Sequence, residues 1–131
     1  MKKGRILHPQ LSQVVASMGH TDGLVIADCG LPIPEGVERV DLALAQQIPT
    51  FLQVLDSVLS ELEVEQIVLA EEMRTYNPEM LQAIELRLSG IPVQWVSHEI
   101  FKTMTASSKA VVRSGECSPY ANVILKSGVI F

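Results

Sequence analysis

The sequence predicts an α/β fold of three layers around a largely parallel or mixed central sheet. Short apolar runs of strand length recur along the whole chain, and stretches with apolar residues at helical spacing alternate with them. At 131 residues the chain matches about one domain by length, so residues 1–131 are expected to share one core.

The elements follow in order. Pro9 suits a first helical turn, and Leu11, Val14, Val15 and Met18 recur at helical spacing before Gly19, which is expected to cap the helix end. Leu24 to Ala27 reads as a buried strand closed by Asp28, and Gly30, Pro32 and Pro34 mark the stretch up to Gly36 as loop. From Pro49, the residues Phe51, Leu52, Val54, Leu55, Val58, Leu59 and Leu62 mark one wide apolar helical face. Ile67 to Ala70 returns to strand. Asn77-Pro78 is an N-cap followed by a first-turn proline, and Met80, Leu81, Ile84 and Leu88 carry the period until Gly90 stops it. Val93 to Val96 is a further strand, and Ser97 caps a short helix that presents His98 and Lys102 on one face. Ala110 to Val112 and Val123 to Leu125 are strands on either side of the turn-rich segment 114–119.

Composition excludes several functions. Apolar residues make up 47% and charged residues 19% of the chain, which fits a folded globule and argues against disorder. A mean hydropathy of +0.27 in so small a chain leaves apolar surface beyond what one core hides, so a homo-oligomer is expected. A net charge of −5 speaks against nucleic acid and anionic membranes as partners, because both require clustered Lys and Arg. No run approaches the ~18 apolar residues of a membrane span, and the basic start is interrupted too early for a signal peptide, so a cytoplasmic location is expected. Cys29 and Cys117 are too few for a disulfide framework, and reduced thiols are expected.

Polar residues flank the apolar runs near both ends of the chain. His20 can give and take a proton near neutral pH, Asp28 can orient it or act as a base, and Tyr120 and Asn122 can bind hydroxyls without changing charge. A histidine after a helix end is on its own most often a loop residue. A carboxylate closing an apolar strand is more telling, since it must be paired or face a cleft. His98 and Lys102 fit a solvated helix face or a sugar pocket equally well. Glu71-Glu72 with Asp28 could suggest a glycosidase carboxylate pair, but charges at a strand end are more often solvated. His8, His20 and His98 lack metal-ligand spacing, and no GxGxxG, GxxxxGK[ST] or GxSxG is present.

In combination, several segments carry a resemblance in sequence order: Met1-Lys2-Lys3-Gly4, Gly19-His20-Thr21-Asp22, Ile26 to Pro34, Ser97-His98-Glu99, Phe101-Lys102, Arg113-Ser114-Gly115-Glu116 and Pro119-Tyr120-Ala121-Asn122. They make the chain resemble the ribose pyranase and fucose mutarotase family over nearly its whole length. The resemblance implies interconversion of pyranose and furanose forms of free D-ribose, with no metal or cofactor, by a decamer of two stacked five-membered rings. It implies that His20 is the catalytic acid and that Asp28, His98, Lys102, Tyr120 and Asn122 bind sugar. His8 stands where many relatives are expected to have Asn, which predicts a weaker cap on the first helix. Fucose turnover and sugar binding without turnover are the alternatives.

Overall fold

The computed structural model describes residues 1–131. In chain order the elements are α1 (Pro9–Ser17), β1 (Gly23–Ala27), β2 (Glu38–Asp41), α2 (Phe51–Leu59), β3 (Val64–Ala70), α3 (Glu72–Tyr76), α4 (Pro78–Arg87), β4 (Val93–Val96), α5 (His98–Met104), β5 (Ala110–Arg113) and β6 (Val123–Ser127). All six strands join one sheet in the order β2-β5-β1-β6-β3-β4. β6 runs antiparallel to both its neighbours, and the other pairings are parallel. The sheet is therefore mixed, as expected.

The alternation of side chains along each strand divides the interior into two layers. Leu24 and Ile26 of β1 point with Val112, Leu125 and Leu69 into the larger core, where α1, α2 and α4 bury Leu11, Val14, Phe51, Leu55 and Ile84. Val25 and Ala27 point the other way with Val68, Val111 and Ile124, and are covered by Phe101 of α5 and by Leu31. Helices thus lie on both faces of the sheet, which is the three-layer arrangement the alternating pattern predicts. No helix is long and apolar enough to cross a membrane.

Capping residues set several helix starts. Thr50 and Gln53 form a reciprocal capping box on α2, Asn77 accepts from the Met80 amide at the start of α4, and Ser97 accepts from the Ile100 amide of α5. His8 also caps: its Nδ1 accepts from the Leu11 amide at 3.2 Å. The cap expected to be weaker is thus present, because an unprotonated imidazole nitrogen is an acceptor like a carboxamide oxygen. Gly19 does not act as the left-handed cap of α1. The helix closes on Met18 in extended conformation, the Asp22 carboxylate accepts from the Gly19 amide at 2.8 Å, and Thr21 takes the positive φ of 70°.

Two elements lie outside the sequence expectation. β2 carries charges at three of its four positions and buries only Val40, so it has no apolar run. As an edge strand it needs just one inward side chain, and its charges discourage further pairing. α3 is a single short turn of helix anchored by buried Met73. At the chain end, Ile130 and Phe131 are 90% and 101% exposed, so the apolar tail does not enter this chain's own core.

Candidate active site

The topology collects chemistry at one edge of the sheet. Because β1, β2, β3, β4 and β5 are mutually parallel and β6 opposes them, the carboxyl ends of five strands and the amino end of β6 share one rim. Asp28 follows β1, His98 follows β4 at the start of α5, and Tyr120 to Asn122 precede β6. Clefts outside the carboxyl ends of parallel strands are where open α/β sheets place ligands. A cavity of about 310 Å³ opens there between Asp28, Leu31, Pro32, His98, Pro119 and Tyr120, a volume within the range of small-ligand sites. Larger hollows occur elsewhere, but this one joins a carboxylate, an imidazole and a phenol.

Asp28 is held from three sides. Its Oδ2 accepts from Asn122 Nδ2 at 2.9 Å, its Oδ1 accepts from the Gly30 amide at 2.9 Å, and its own amide donates to Asn122 Oδ1 at 2.8 Å. Asn122 is fully buried, so its carboxamide fixes Asp28 and does not present a free face to the cavity. The antiparallel register that places Ile26 opposite Val123 brings these two residues together across 94 positions of sequence.

Tyr120 sits in a left-handed conformation at φ 57°, which costs a non-glycine residue about 1–3 kcal/mol and persists only where surroundings dictate it. The Asn77 Nδ2 supplies that constraint by donating to the Pro119 carbonyl at 2.8 Å and to Ser118 Oγ at 3.1 Å. The Tyr120 ring meets the His98 ring edge-on at 5.0 Å and lies 5.6 Å from the Tyr76 ring. Glu72 orients His98 from below, its carboxylate accepting from the His98 amide at 2.9 and 3.1 Å. His98 Nδ1 is buried and has no protein partner. Glu72, Asn77 and Tyr76 were missed by the sequence reading: Glu71-Glu72 looked like a solvated strand end and Asn77 like a helix cap alone.

Two of the sequence-derived site residues stand apart. Lys102 pairs with Glu99 at 2.7 Å and does not line the cavity. His20 precedes β1 at the opposite rim, so the five residues of the strand, at ~3.3 Å each, separate it from Asp28 by roughly 16 Å. Its Nε2 lies 2.9 Å from Glu65 Oε2, and its side chain is 54% exposed. It borders a different hollow of about 440 Å³, whose wall is the apolar tail Val129, Ile130 and Phe131.

A mixed α/β sheet with a polar cavity at its carboxyl rim defines a small-molecule-binding protein of the α/β class. Comparison with known proteins narrows this. The RbsD / FucU transport protein family matches residues 1–130. Proteins named D-ribose pyranase from Geobacillus thermodenitrificans and Pasteurella multocida are 57% and 53% identical, the alignments covering all of this chain and 99% and 100% of theirs. The structure of Bacillus subtilis RbsD complexed with D-ribose superposes with a TM-score of 0.97 at 43% identity over the whole of both chains. A fucose mutarotase from Streptococcus pneumoniae, solved with L-fucose, superposes at 0.78 and 25% identity, again over both whole chains. The chain belongs to the RbsD / FucU family.

Proposed function

We propose that the chain interconverts the pyranose and furanose forms of free D-ribose, and that residues 1–131 act as one unit in doing so, in the cytoplasm. The observation that carries this is the cavity of Asp28, His98 and Tyr120 in a chain so close over its full length to proteins named D-ribose pyranase.

Ring opening requires a proton on the ring oxygen as the anomeric hydroxyl loses its own. The resulting aldehyde is then recaptured by a different hydroxyl, with no change in oxidation state. Positioned acid–base groups supply ~10²–10⁴-fold, enough for a reaction that proceeds slowly unaided. Asp28, already oriented by Gly30 and Asn122, accepts a hydrogen bond from a sugar hydroxyl through the lone pairs left on its carboxylate. Tyr120 and His98 offer a hydroxyl and an imidazole from the facing wall, while Asn122 acts through Asp28 and the backbone of residues 120–122. Lys102 serves the same wall only if it leaves Glu99.

His20 is assigned the proton shuttle, acting from the far rim on a sugar held by another subunit. The apolar tail beside it supports this: Ile130 and Phe131 are almost wholly exposed on one chain, as surfaces buried between subunits are. The assembly is assigned as the decamer of two stacked pentamers, with the cavity of one subunit closed by the His20 of a neighbour.

Saturation-transfer NMR on equilibrated ribose reads exchange between ring forms directly. The expected result is accelerated exchange with the intact chain and none with His20→Ala at unchanged folding. Mixing His20→Ala with Asp28→Ala subunits should restore part of the rate, because some interfaces then contain one complete site. Saturable ribose binding with no acceleration would replace catalysis by a binding role, and absence of recovery on mixing would overturn the service of one subunit's cavity by the His20 of another.

A further inference from the structure

The two cysteines, 88 positions apart, meet between the segments that supply the cavity wall, Cys29 itself lining a separate hollow with Arg113 and Gly115. Cys29 follows Asp28 directly, and Cys117 precedes the Ser118-Pro119-Tyr120 turn. The parallel pairing of Ala27 with Arg113 carries both strands in step past the end of the sheet, where the Cys29 amide donates to the Glu116 carbonyl at 2.8 Å. This places the two sulfurs 3.7 Å apart, both as free thiols. They are the only cysteines in the chain, so each has one possible partner within it.

We propose that Cys29 and Cys117 are a site of oxidative modification, closing to a reversible intrachain disulfide that shifts the wall of the cavity. A disulfide needs ~2.05 Å between sulfurs, so the pair must close by more than an ångström. The Cys29 backbone is pinned by its bond to Glu116 and by Arg113 Nε, which donates to the Cys29 carbonyl at 3.0 Å. Closure therefore falls first on the two side chains, above all that of exposed Cys117, and loads the turn toward Tyr120 that Asn77 holds at Ser118 and Pro119.

The roles of the two sulfurs differ. The contact with Cys117, then burial, with the Asp28 charge adding, push the Cys29 thiol above its ordinary value, and Cys117 is the more exposed of the two sulfurs, so an oxidant meets Cys117 first. With a small-molecule disulfide as oxidant, the Cys117 thiolate attacks one sulfur of the oxidant and expels the other half as a thiolate. Cys29 then gives up its proton and attacks the Cys117 sulfur, expelling the second half. Both protein thiols are oxidised and one small disulfide is reduced to two thiols.

The effect on turnover rests on the pyranase reading, whereas the disulfide itself does not. Reduced, folded protein is incubated with oxidised glutathione, alkylated in denaturant and weighed intact, and ribose exchange is measured in parallel. Expected are loss of two hydrogens and of both alkylatable thiols, and a fall in exchange of at least about tenfold, since displacement by an ångström can cost ~10²-fold. Dithiothreitol restores both, and the Cys29→Ser/Cys117→Ser double variant keeps its rate in oxidant. Two alkylatable thiols after treatment, a stable glutathione adduct, a disulfide between chains, or equal rates for oxidised and reduced protein overturns the proposal. A reduced chain inert on ribose counts against the pyranase reading instead, and the mass still decides the disulfide.

Discussion

Replacing Asn122 by alanine tests whether the cavity carboxylate is built into the core. The substitution removes two hydrogen bonds, one from the Asp28 amide at 2.8 Å and one to the Asp28 carboxylate at 2.9 Å. A neutral bond contributes ~1 kcal/mol net and one to a charged group ~1.5–3 kcal/mol, and Asp28 regains part of the second from water because it is only half-buried. The expected loss is therefore about 2–3 kcal/mol, or roughly 10 °C in Tm for a chain of this size. Urea unfolding followed by circular dichroism, at fixed protein concentration, measures it. A double-mutant cycle with Asp28→Ala isolates the side-chain bond, since the Asp28 amide survives in that variant, and should return a coupling of at least about 1 kcal/mol. Additivity within ~0.5 kcal/mol would refute the reasoning and leave Asn122 as a buried residue that does not hold the Asp28 carboxylate.

Three further outcomes are expected. Asn77→Asp keeps an acceptor for the Met80 amide but loses the donors to Pro119 and Ser118, so KM for ribose should rise severalfold while Tm falls by several degrees, each lost bond being worth ~1 kcal/mol; a lowered Tm with unchanged KM would make Asn77 a support of the fold and no more. Gly115→Ala should cost roughly 3 kcal/mol or more in urea unfolding, because an added Cβ would collide with the Ala45 carbonyl oxygen and stand 2.6 Å from the Ile48 nitrogen, both backbone atoms that cannot swing aside. Burial opposes ionisation of Asp41, yet the Ala43 amide and the Arg113 guanidinium together outweigh it and lower its pKa below the ordinary 3.8. The stability this contributes is complete above that ordinary value and is lost as pH falls through the lower folded one, so Asp41→Asn should lower stability at neutral pH and flatten the acid end of a stability-against-pH curve, the two proteins converging at low pH.

What the sequence made legible followed from local rules. Apolar runs marked five of the strands, four because they are largely buried and β4 because its Val93, Trp95 and Val96 are partly so, and Asn77-Pro78 and Ser97 declared helix starts because capping is a contact within four residues. β2 stayed hidden because an edge strand with one buried side chain has no apolar run to show. In the site, Asp28, His98 and Tyr120 were named correctly as neighbours of strand ends, and the cavity joins them. Their supports were not legible: the bond from Glu72 to His98 spans 26 positions and the one from Asn77 to Pro119 spans 42. The distance of His20 from Asp28 was equally hidden, since it depends on which rim of the sheet each reaches, and that requires strand direction.

Strand order also governs when this chain can fold. β1 lies between β5 and β6, and Leu24 to Ala27, fully buried in the finished protein, have no partner strand until synthesis has passed residue 110. The nascent chain thus carries its most apolar strand unpaired on both edges through most of its production. Long-range pairing of this kind slows folding and leaves sticky edges open meanwhile. Premature termination anywhere before β6 should therefore yield aggregates in place of a smaller soluble fragment.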